Sequence, residues 1–119
     1  MKNRVIARAP ARPFLRFYHS QELRTRTKQV LAAIEDDEDP TRHAEEFAAL
    51  VVELTDAGLT YFFFEPLKAA KVGFLLEQSA SFGLSGALTV MSPVIRNVIS
   101  WMSKEQLLAV TTHLRRFMR

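Results

Sequence analysis

The sequence predicts an all-α domain: a compact bundle of five or six short-to-medium helices behind a basic, proline-interrupted N-terminal arm. Three observations predict it. Apolar residues recur at three- and four-residue spacing along most of the chain. Serine, proline and glycine fall where helices would start and stop. No alternating strand pattern exceeds a few residues, apart from the short apolar run in "LTYFFF". At 119 residues the length suits one domain, so residues 1–19 are read as the arm and 20–119 as a single helical domain.

The arm, "MKNRVIARAPARPFLRFYHS", carries arginines but no acid. It lacks the apolar stretch of a secretory signal, and its basic character is read as a surface arm rather than a transit peptide. The first helix begins at Ser20, an N-cap residue, and places Leu23, Thr27, Val30, Leu31 and Ile34 on one stripe. Phe14, Phe17 and Tyr18 fall on the opposite side of any backward extension, which argues for a break near His19.

The acidic loop "EDDEDPT" follows, with Asp39 as cap and Pro40 in the first turn of a second helix reaching about Ala57. Its apolar face is His43, Ala44, Phe47, Leu50, Val51 and Leu54; Glu45, Glu46, Glu53 and Asp56 make a solvated acidic face. Gly58 is expected to end it. "LTYFFFE" then becomes a corner, and Pro66 opens or kinks a helix through Leu67, Ala70, Phe74, Leu75 and Gln78 that is apolar nearly all round and belongs in the middle of the domain. Residues 78–95 contain no charge over 18 positions, the lower limit for a membrane span. Five hydroxyl residues and Pro93 in that run favour a buried element, so no transmembrane span is expected. Ser92 and Pro93 are read as the start of a short helix ending near Trp101. Ser103 and Gln106 form a capping box for the last helix, striped by Leu107, Val110, Thr111, Leu114, Phe117 and Met118.

Charge is segregated. Residues 1–28 carry +7, residues 29–65 carry −9 and residues 66–119 carry +5. The basic block of Arg4, Arg8, Arg12, Arg16, Arg24, Arg26 and Lys28, together with Arg96 in its uncharged surroundings, is the candidate anion site for nucleic acid or an anionic membrane surface. The competing account is internal, with bases lying against the chain's own acidic block or that of a second copy.

Catalysis finds little support. No cysteine is present, which removes disulfides, thiolate metal sites and thiol nucleophiles. The three histidines form no ligand pair, and "GLSG" lacks the third glycine of a dinucleotide fingerprint. No metal and no cofactor are expected. The sequence points to a non-enzymatic cytoplasmic protein that works by binding, as a homo-oligomer or an adaptor for another protein. The four consecutive aromatics Tyr61, Phe62, Phe63 and Phe64 are its candidate contact surface or ligand pocket.

Overall fold

The computed structural model describes residues 19–118. Helix accounts for nearly all of this span, and no strand occurs among the described residues. There are four helices: α1 (Gln21–Asp36), α2 (Pro40–Ala69), α3 (Phe74–Ser100) and α4 (Lys104–Phe117). The expected arm lies outside the described residues. The expected five or six helices become four, because boundary signals read at Gly58, Pro66 and Pro93 are overridden.

At α1 the sequence reading holds in detail. The Ser20 hydroxyl accepts a hydrogen bond from the Leu23 N–H at 3.0 Å, and Leu23, Thr27, Val30, Leu31 and Ile34 are its buried residues. The entry to α2 differs from expectation: Asp39 makes no side-chain cap. Its carboxylate accepts from the Thr41 hydroxyl instead, and its N–H donates to Asp37. Pro40 is buried and opens a 3₁₀ turn, Pro40–His43, that leads into α-helix.

Gly58 does not end α2. The helix runs through it into a π-helical turn, Thr60–Phe64, and a last α turn, Glu65–Ala69. A glycine lowers helix propensity by only about 1 kcal/mol, which continued packing of α2 on α3 outweighs. Pro66 accounts for the π turn. Its ring would press on the carbonyl four residues back, and widening the preceding turn relieves that clash. The aromatic run is therefore the wide turn of a continuous helix, and the expected corner is corrected.

The true reversal lies eight residues later. Lys71 adopts φ 55° and Gly73 φ 105°, and these two left-handed residues turn the chain into α3. The sequence reading placed Ala70 and Phe74 on one helix across this point. Likewise Pro93 does not begin a helix; it sits inside α3. Pro93 is exposed, so water can take over the Thr89 carbonyl that its missing N–H leaves unpaired. α4 opens on the expected capping box, with the Ser103 hydroxyl accepting from the Gln106 N–H and the Gln106 side chain accepting from the Ser103 N–H at 2.9 Å.

Helices α2 and α3 form a long antiparallel hairpin, and α1 and α4 pack only at its base. The core consists of Leu23, Val30, Leu31 and Ile34 from α1, Phe47, Ala48 and Leu50 from α2, Ile99 from α3 and Leu107 from α4. Lengths explain the asymmetry. Sixteen and 14 residues make α1 and α4 about 24 and 21 Å long, whereas 30 and 27 residues make the hairpin arms about 45 and 40 Å. Two short helices cannot cover two long ones. The expected compact bundle is thus corrected: the radius of gyration is 18.0 Å, against about 13 Å for a compact chain of this size.

Candidate interaction surface

α3, expected in the middle of the domain, is instead its most exposed element. Toward α2 it presents one line, Ala80, Leu84, Leu88, Ile95 and Ile99, only the last of which is fully buried. Phe74 is 72% exposed, Leu75 79%, Phe82 75%, Val90 71% and Trp101 79%. In an ordinary globular helix such residues face a core.

Counting about 100° per residue divides α3 into four sectors, one of which holds the exposed Leu75, Phe82, Gly86 and Pro93. Another faces α2. A third is a seam of small polar groups, Gln78, Ser85, Thr89 and Arg96, whose members bond within their own helix: the Thr89 hydroxyl donates to the Ser85 carbonyl at 2.9 Å, and Arg96 Nε lies 3.4 Å from the Ser92 hydroxyl. The fourth is an exposed apolar stripe of Leu76, Gly83, Ala87, Val90, Val94 and Trp101. Its members recur at three, four or seven positions, so it runs the whole length of the helix on one side. A Cβ placed on Gly83 or Gly86 would meet nothing within 4 Å. No close approach inside the chain accounts for glycine there.

The four aromatics are distributed by the π turn. Phe62 and Phe63 are about half exposed, and Tyr61 and Phe64 less so. Tyr61 and Phe62 meet edge to face at 5.2 Å, and the Lys68 ammonium lies 5.8 Å from the Phe64 ring centre while also 3.7 Å from Glu65. A separate apolar groove of about 430 Å³ lies between α2 and α4 at the base, lined by Phe47, Val51, Val110, His113, Leu114 and Phe117 among others.

Among the described candidate anion-binding residues, Arg24 and Lys28 share one side of α1, and Arg26 and Arg96 lie apart from them. Arg4, Arg8, Arg12 and Arg16 lie outside the described residues. On α1, Arg26 pairs with Glu53 of α2, while Arg24 and Lys28 sit at other positions around the helix. Arg96 stands far along the chain on α3. The strongest charge contact is Arg115 of α4 on Glu35 of α1, a two-bond fork at 2.8 and 2.9 Å that raises the arginine pKa through that hydrogen bonding. Asp37 links α1 to α2. Its carboxylate is held below the ordinary carboxylate value, first by the Asp39 N–H and then by His43 Nε2 at 2.9 Å. Among the described residues no three His, Asp or Glu side chains gather as a metal site.

Sequence reasoning missed the α3 stripe as a surface. Its signal was present in residues 78–95, whose lack of charge covers all sides of a helix at once. Helices α2 and α3 are also each long and apolar enough, by length and composition, to cross a membrane. Comparison with protein-family models, with curated proteins and with solved structures finds no match to this chain.

Proposed function

We propose that this protein has no catalytic role and acts in the cytoplasm by protein contact, through the exposed apolar face of its hairpin. The observation that carries the reading is the uncovered stripe on α3. The exposed side chains of the stripe itself, chiefly Leu76, Val90, Val94 and Trp101, amount to on the order of 500 Å², the upper end of what a soluble monomer leaves in one patch. A standard interface takes about 800 Å² from each partner, so the stripe is the apolar centre of such a contact and flanking polar residues supply the rest.

A bilayer is the competing home for so much apolar surface, and three features weigh against a span. The charge-free part of α2 beyond Asp56 ends at Glu65 and covers eight residues, about 12 Å of helix against a hydrocarbon core of about 30 Å. The first half of α2 is occupied by α1 and α4, with Phe47 and Leu50 fully buried. The tip carries Glu65, Lys68, Lys71 and Glu77, all of which would have to cross. Anion binding through the basic residues is less favoured, because Arg26 is already engaged by Glu53 and Arg96 stands on a different helix from the α1 bases.

Sedimentation velocity of the full chain over a wide concentration range tests the reading. Association is expected, and the double variant Val90→Glu, Val94→Glu should abolish it while leaving the helical circular dichroism intact. A wild-type chain that stays monomeric and soluble throughout would overturn it.

A further inference from the structure

The stripe on α3 has a shape and a charge layout that say what covers it. From tip to base it reads Leu76, Gly83, Ala87, Val90, Val94, Trp101, with the small residues on the tip side of centre and larger ones on the base side. A second stripe laid on it in the opposite direction sets the valines of the base half against the small residues of the tip half. Trp101 then meets Leu76 of the second copy, Val94 meets Gly83 and Val90 meets Ala87. Laid in the same direction, Gly83 would face Gly83 and leave a gap, and tryptophan would face tryptophan. Even packing without voids is what stable interfaces share with protein interiors.

Charge favours the same direction. Antiparallel pairing carries the tip lysines Lys68 and Lys71 toward the second copy's base, where the exposed Glu45 and Glu46 open α2. Parallel pairing would set Lys71 beside Lys71. Such like-charge contacts count heavily against a wrong arrangement.

We infer that the occupant of the α3 face is a second copy of this chain, packed antiparallel about a two-fold axis near Leu88 and Thr89. This rests on the contact reading above and gives it a partner and a register. The hairpins thereby complete a four-helix core that one chain supplies only in half, and the contact is isologous and closed, as two-fold interfaces are.

The absence of cysteine makes the register directly testable. Leu76→Cys and Trp101→Cys chains are prepared in the full-length protein, and each is oxidised alone and as an equal mixture after exchange. The mixture should give at least about tenfold more disulfide-linked dimer than either alone, since the bond forms only within a narrow range of Cβ separation. Gly83→Cys with Val94→Cys repeats the test with the Trp101 side chain retained. Cross-linking of each variant with itself at both ends would establish a parallel pair and overturn the inference, as would absence of mixed cross-links in a sample that sediments as an oligomer. In both cases the broader contact reading survives. A monomer under sedimentation that floats with anionic lipid vesicles would overturn both.

Discussion

Thr111 offers the sharpest test of the packing described for the base. It lies on the buried side of α4 with no exposed surface, and its hydroxyl has no hydrogen-bond partner among the described residues. Thr27 of α1 is buried almost as fully, yet its hydroxyl donates to the Leu23 carbonyl at 2.7 Å. Valine replaces either hydroxyl by a methyl of nearly the same shape and is equally β-branched. At Thr111 the change removes a desolvation penalty of about 1–3 kcal/mol and adds apolar burial worth up to about 0.8 kcal/mol. Allowing for imperfect fit, Thr111→Val should stabilise by about 1–2 kcal/mol. Thr27→Val should instead be destabilising by about 0.5–1.5 kcal/mol, the net worth of one hydrogen bond. Urea unfolding followed by circular dichroism reads both, at one fixed protein concentration because association adds its own stabilisation. The Thr111 variant should move the midpoint upward by on the order of 1 M with an unchanged slope. If it loses as much stability as the Thr27 variant, the hydroxyl is satisfied in solution and the packing account of α4 is wrong.

Three further outcomes follow from individual side chains. Ser103→Ala removes the cap of α4 and should cost about 1 kcal/mol in the same urea assay. Gly73→Ala forces a Cβ into φ 105°, ψ 161°, where surrounding space is open; the loss, about 1–3 kcal/mol, therefore reports backbone strain alone. Asp37 has a folded-state pKa below its ordinary 3.8, so its stabilising effect is present above that value and lost as pH falls through the folded one. Stability–pH curves of wild type and Asp37→Asn should accordingly lie apart above about pH 4 and converge on further acidification.

The base of the molecule was largely legible in the sequence. Ser20 and the stripe it introduces, and Ser103 with Gln106, are local devices whose partners lie three residues away, so a linear reading finds them. Phe47 and Leu50 were likewise placed on a core face by spacing alone. The hairpin was misread for the opposite reason. Gly58 as a helix end, and Pro66 and Pro93 as helix starts, are boundary signals of modest strength, and contacts between residues far apart in the chain override them. The real turn, at Lys71 and Gly73, was masked because Leu67, Ala70 and Phe74 keep helical spacing across it. Periodicity also shows which sides of a helix are apolar without showing whether anything exists to cover them. The surface on α3 therefore read as core. Tyr61 to Phe64 were picked out by composition, and the structure spreads them around a wide turn with Phe62 and Phe63 about half exposed.

The π turn at Thr60–Phe64 also has a meaning for insertions and deletions. One turn of π-helix holds one residue more than the α-helix spanning the same segment. Removing a single aromatic from the run should keep both flanks in phase against α3, at the cost of returning the Pro66 ring to the carbonyl four residues back. The same deletion anywhere else in α2 would rotate everything beyond it by about 100° and turn its apolar side away from the hairpin seam. Chain length in this helix is therefore adjustable at one place, and that place is the run of four aromatics.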